Sequence, residues 1–366
     1  MIWFAWRQHR DSAYVVFGLL LALAIAFLVT GIHLFHVYDT VVKGCAARGD
    51  CSSVTQTFQS SDPSLQHLTQ AGGILLPAFL GAFWGAPLLA REFESDTFRL
   101  AWTQSVSRTK WLVCKLGLVA LVSVVVEALF TAMSTWWNRP FDHLNNLPFS
   151  VFDTRDIVPL GYALFAVTLG VVIGVLVRRT VPAMALTFAA FASVRVVFNE
   201  DIRPHFATPL RAITKFVPPF ASSTGGAPTK VNAVWSGPNG PGSGWILSTD
   251  TLNSSGKVIG THGGIGPNGN ISFQPLANGS ARFVGVGTCP NKFPAAPIRG
   301  LGHVSVGPNS ALASATDKCI NSFHLQSLVT YQPADRLWTF QWYELGSYVM
   351  LSLLLAAFSV WWIRRR

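Results

Sequence analysis

Side chains that could do chemistry fall in three places in this chain of 366 residues. The first is the stretch Leu89–Lys115, LAREFESDTFRLAWTQSVSRTKWLVCK, where Arg91, Arg99, Arg108, Lys110 and Lys115 alternate with Glu92, Glu94 and Asp96. Phe93, Leu100 and Trp111 recur among these charges, and neither Gly nor Pro occurs from Ala90 to Leu116. Such a stretch must leave a bilayer, because each charge costs roughly 2.5–3.5 kcal/mol in hydrocarbon, and it reads as a short interfacial helix rather than a loose loop. The second place is Glu127, well inside the apolar run Trp111–Trp137. An ionisable group at that depth is a candidate intramembrane polar site by default; the alternative is an acid facing a polar cavity or a dimer interface with no proton role. The third is the set of five cysteines. Cys45 and Cys51, and Cys289 and Cys319, lie in pairs outside the apolar runs, while Cys114 starts one. That pattern suggests two disulfides in an oxidising compartment and one free buried thiol.

Catalytic motifs are missing. The nearest string to a phosphate-binding GxxxxGK[ST] loop is Thr224–Lys230, TGGAPTK, with Thr229 where Gly is needed and Val231 where Ser or Thr is needed. HExxH, GxSxG and CxxC are absent. His33 and His36 are three residues apart without a third ligand, so no metal site is expected, and the chain is read as not an enzyme.

The elements that must position these residues are membrane spans. Half the residues are hydrophobic and 12% are charged, against about 25% charged in a soluble domain. Apolar runs at Ala13–Phe35, Ala71–Leu89, Trp111–Trp137, Val158–Val177, Pro182–Phe198 and Leu345–Ile363 give an all-α polytopic membrane protein with six transmembrane helices. Met1–Arg10 is either a surface helix or a flanking tail. Gly81 and Gly85, and Gly170 and Gly174, form two GxxxG pairs that permit close helix approach. Arg195 is expected to snorkel to the headgroups. Asn138–Ile157 reads as a short polar loop. Between spans five and six, residues 200–337 form a Gly/Pro-rich, mainly β insert, with short strands at Trp245–Ser248, Ile271–Phe273, Arg282–Val286, His303–Val306 and Ser327–Tyr331. Ser222–Gly244 reads as disordered. The domains are thus 1–199 with spans one to five and the polar connection 90–111, the insert 200–337, and 338–366 with the sixth span and a basic C-terminus.

Charge sets the orientation. With six spans, the side holding both termini carries twelve Lys and Arg, and the two short loops opposite carry four bases and six acids. The positive-inside rule places both termini in the cytoplasm of a multi-pass plasma-membrane protein, with the insert and both cysteine pairs outside. The net charge of +10 is explained by these loops, without nucleic acid as a partner.

Glu92, Glu94, Thr97, Gln104, Ser107, Arg108, Trp111 and Lys115, together with the run GAFWGAPLLAREFESDTFRLAWTQSVSRTKW that ends at Trp111, resemble the first cytoplasmic loop of type-two ABC transporter permeases of the kind found in high-GC Gram-positive bacteria. The tail, including Gln332-Pro333 and Trp338–Glu344, resembles the same family. Family members usually have Gly where this chain has Asp96. The resemblance implies that the loop carries a coupling helix docked on a separate ABC ATPase subunit; Arg99, Trp102 and Arg108 are expected among the contacts, because exposed Trp and Arg are the residue types that anchor interfaces. It implies two ATPase copies holding ATP and Mg, no cofactor in this chain, and two permease copies among membrane lipids, read as a homodimer. The function implied is export of a hydrophobic or amphipathic substrate. The rivals are a membrane-anchored cell-envelope sensor that binds ligand with its insert, and an intramembrane enzyme using Glu127.

Overall fold

The computed structural model describes residues 2–46, 54, 57, 58, 61–95, 107–145, 148–215, 243–260, 273–275, 281–283, 287, 288, 318 and 321–365. It divides into two compact units, Met1–Phe206 with Asp335–Arg366, and Ala207–Ala334. The protein is mostly helical, and among the described residues six helices are long and apolar enough to cross a membrane: Tyr14–Cys45, Pro63–Glu94, Arg108–His143, Val158–Val177, Thr180–His205 and Ala334–Arg365.

In the first unit, α1 (Ile2–Val37) is continuous from its second residue, with no break after Arg10. Span two consists of α2 (Pro63–Leu80), a π-helical turn Gly81–Gly85, and α3 (Pro87–Glu94). The wide turn sits directly before Pro87, whose missing N–H and bulky ring forbid a regular α-helical bond at that point. α4 (Arg108–Asn145), α5 (Val158–Val177), α6 (Thr180–Val197) and α7 (Leu337–Arg365) complete the unit.

Two expectations from hydropathy are corrected here. The second and third spans reach Glu94 and begin at Arg108, so the polar connection is shorter than 90–111. Asn138–Asn145 belongs to α4 and not to a loop, despite Pro140. Aromatic packing carries the helix past that proline: Trp137 lies 5.6 Å from Phe27 and Phe141 lies 5.2 Å from Phe58 between ring centroids. The Trp137 indole also donates to Thr30 Oγ1 at 2.9 Å, tying α1 to α4.

α5 is the central element. It is apolar on every side, and its buried residues, including Tyr162, Phe165, Ala166, Val167, Val171 and Val175, cover its whole circumference, as expected for a helix enclosed by others. The two GxxxG pairs meet face to face. A methyl at Gly81 would lie 2.5 Å from the Ala166 carbonyl oxygen, and one at Gly85 would lie 2.6 Å from that of Val167. From the other side, methyls at Gly170 and Gly174 would strike the carbonyl oxygens of Gly81 and Ala86. The main chains of spans two and four are therefore in direct contact, which only glycine allows.

The second unit contains a four-stranded antiparallel sheet of order β1-β7-β2-β3, from β1 (Leu210–Lys215), β2 (Trp245–Leu252), β3 (Val258–Gly260) and β7 (Gln326–Gln332). A three-stranded sheet holds β4 (Phe273–Pro275), β5 (Ala281–Phe283) and β6 (Gly287–Thr288). Asn253 builds the β2–β3 turn by accepting from Ser255 N at 3.1 Å and Lys257 N at 2.8 Å, with Gly256 at φ 79°. β1 and β3 were not foreseen. The expected strand His303–Val306 and most of Ser222–Gly244 lie outside the described residues.

Candidate functional site

At one end of the bundle, α3, the start of α4, the α5–α6 turn and the end of α7 converge. Lys115 of α4 and Glu92 of α3 form a buried ion pair, and the Lys115 ammonium lies 4.9 Å from the centre of the Trp111 ring. Glu94, two residues on, accepts from Thr180 N at 3.0 Å and Thr180 Oγ1 at 2.6 Å. That carboxylate faces the first turn of α6, where unpaired N–H groups and the helix dipole favour negative charge. Arg178, in the left-handed region at φ 57°, lies over the Phe93 ring at 5.7 Å. Arg364 Nε of α7 donates to Thr109 Oγ1 at 3.0 Å. Ser107 starts α4: its carbonyl accepts from Trp111 N at 3.1 Å and its hydroxyl from Lys110 N at 3.4 Å, the usual N-cap arrangement.

The residues singled out from the sequence are thus divided. Glu92 and Trp111 are buried inside the bundle, where they hold the helices rather than offer a contact surface. Glu94 links two spans, and Ser107 and Arg108 lie exposed at the mouth of the connection. Thr97, Arg99, Trp102 and Gln104 lie outside the described residues, as does most of the expected interfacial helix. Arg91, Arg108, Lys110, Arg178, Arg179, Arg364 and Arg365 are exposed at this end, giving it a basic rim.

Cys114 is a free thiol. Cys51, Cys289 and Cys319 all lie outside the described residues, and with them both expected bridges. Glu127 is fully buried in α4, and neither carboxylate oxygen has a hydrogen-bond partner among the described residues.

The opposite end holds a charged cluster that sequence reasoning missed. Arg195 does not snorkel: it pairs with Asp153 at 3.0 Å and Glu344 at 3.2 Å, and its guanidinium stacks 3.6 Å from the centre of the Tyr162 ring. Arg203 pairs with the same Asp153, and with Glu344 through Nε at 2.7 Å and Nη2 at 2.8 Å. Tyr162 OH donates to Glu344 Oε1 at 2.5 Å. Gln341 closes the corner, accepting from Val158 N at 3.0 Å and donating to the Phe152 carbonyl at 3.2 Å. Burial alone would push the Asp153 carboxyl up, but Arg203 and Arg195 together hold it down at about 2. Two guanidiniums balance two carboxylates, so the cluster is neutral and joins α5, α6 and α7. The available signals were an arginine inside a span and an acid at the start of another.

Comparisons with curated proteins and with solved structures gave no match. A family model described as ABC-2 membrane transporter related matches residues 17–203, from span one to the arginine that completes the charged cluster. Covering half of the chain and five of its six spans, that match means the protein belongs to the ABC-2 membrane transporter related family.

Proposed function

We propose that this membrane transport component is the permease subunit of an ATP-driven exporter, powered by a separate ABC ATPase that docks on the connection 95–107. The observation that carries the reading is the way this connection is mounted. It leaves α3 just after Glu92 and Glu94 are fastened to α4 and α6, and it re-enters at a capped helix start beside a basic rim. A push on such a connection reaches three spans at once. Exposed Arg and Trp are the residue types that anchor interfaces, and Arg pairs bidentately with partner carboxylates. Arg99, Trp102, Gln104 and Arg108 are assigned the docking contact, with Thr97 at its start. Two permease copies, two ATPase subunits, cytoplasmic termini and a hydrophobic or amphipathic substrate complete the proposal.

The test is the double substitution Trp102→Ala with Arg108→Glu. It should release the ATPase or abolish stimulated ATP turnover while the permease still inserts. Unchanged copurification and turnover would make the connection a lipid anchor. The sensor reading draws on the separate unit Ala207–Ala334; it gains if the native chain purifies from membranes with no ATPase.

A further inference from the structure

Glu127 has no role in the docking mechanism, and its surroundings are unusual. It is fully buried within a single copy of the chain, which removes it from any interface between copies. Among the described residues both its oxygens lack partners, and so do Ser123 Oγ and Thr131 Oγ1, one helical turn on either side. Ser123 and Thr131 are themselves buried. At i−4, i and i+4 these groups share one face of α4 and neighbour each other along it. No charged side chain among the described residues acts on Glu127 from α1, α2, α5 or α7, the helices packed against α4. The same face continues through Ser134, whose hydroxyl donates to the Thr131 carbonyl at 3.1 Å, and Asn138, which donates to the Ser134 carbonyl at 2.8 Å.

An ionised carboxylate cannot persist in such a place. Taking a lone charge out of water into a medium of low dielectric constant is so costly that the group neutralises instead. The closed bundle therefore holds Glu127 as the acid. Three hydrogen-bonding groups with open valences, stacked inside a span, have no packing purpose, since leaving each buried and unpaired is destabilising.

We propose that Glu127, with Ser123 and Thr131, is an intramembrane proton-binding site: loaded when the bundle is closed, and discharged to entering water when α4 separates from its neighbours. On discharge the carboxylic O–H bond breaks, the proton leaves to water, and the two hydroxyls turn to donate to the carboxylate. This does not depend on the exporter reading, because a proton site can serve any membrane component that opens and closes.

The test is infrared difference spectroscopy on the purified full chain in lipid bilayers, against Glu127→Gln. The expected result is a carboxylic-acid carbonyl band at neutral pH that the variant lacks and that disappears reversibly on alkalinisation, with release of one proton per chain. Ser123→Ala with Thr131→Val should raise the midpoint of that loss by about two pH units or more, at least one unit for each hydrogen bond to the charged group that is removed. No Glu127-dependent band at neutral pH, a band unchanged until the protein unfolds, or an unmoved midpoint would each overturn the site. If Glu127→Gln fails to fold, dicyclohexylcarbodiimide mapping of the native chain decides. An adduct at Glu127 that spares the ion-paired Glu92 and Glu344 supports the site, and an adduct on those two alone sinks it.

Discussion

Glu344→Gln should be among the most damaging isosteric substitutions in the helical unit. Glu344 is fully buried and accepts from Tyr162 at 2.5 Å, Arg203 at 2.7 and 2.8 Å, and Arg195 at 3.2 Å. Removing its charge leaves two guanidiniums against Asp153 alone, a net buried positive charge. Breaking a buried pair in this way costs about 3–5 kcal/mol. At about 2–4 °C per kcal/mol for a unit the size of the helical one, its midpoint of thermal unfolding falls by roughly 6–20 °C. The measurement is heat-induced loss of the folded peak on size exclusion, at one scan rate because unfolding of such proteins is irreversible. Adding Arg195→Gln restores neutrality and should recover at least half of the loss. The reasoning is refuted if Glu344→Gln melts within about 2 °C of the parent, or if the two substitutions simply add, since groups in one network must couple.

Gly170→Ala should destabilise by about 1–3 kcal/mol, because its methyl meets main-chain atoms of span two, whereas Gly117→Ala, with open space around it, should be neutral or gain about 0.5–1 kcal/mol; thermal melts of both check the contrast. Acidification should weaken the helical unit between pH ~4 and ~2: the folded-state value of Asp153 is held at about 2 against an ordinary 3.8, so its contribution, on the order of 2 kcal/mol, is complete above the unfolded value and lost as pH falls through the folded one. Asp156 acts in the opposite sense, since burial holds its carboxyl above the usual range, and a melt series from pH 5 to pH 2 reads the balance. Peptide mapping without reductant should find Cys45–Cys51 and Cys289–Cys319, and loss of the second bridge should cost about 2–5 kcal/mol; a Cys45–Cys289 link or a bridged Cys114 contradicts this.

The spans were legible because lipid demands long apolar runs, and hydropathy reads them directly. Their ends were not, because hydropathy sees only side chains. Asn138–Asn145 stays helical through aromatic packing against α1 and residue 58, and Glu92 can lie inside a helix because Lys115 neutralises it from the next one. The GxxxG pairs were visible singly, but no local signal said that each is the other's partner. The charged cluster was hidden for the same reason. Asp153, Tyr162, Arg195, Arg203 and Glu344 are scattered along the chain and become one object only when three helices close. β2 and β7 carry alternating patterns bounded by turn residues, whereas β1, LRAITK, breaks strict alternation at Ala212-Ile213 and was missed although Pro209 bounds it.

The glycine contact between spans two and four also predicts how this sequence can change. At Gly72 an added methyl would strike the Phe130 ring, a side chain, so a smaller residue at 130 could make room. At Gly81, Gly85, Gly170 and Gly174 the obstacles include carbonyl oxygens and backbone nitrogen. No second-site substitution can shrink a peptide group. Suppressor screens on damage at Gly72 should return changes at Phe130, while damage at the other four should yield only reversion. In drifting descendants of this chain those four positions would stay constant one by one, and would show no covariation with the residues they touch.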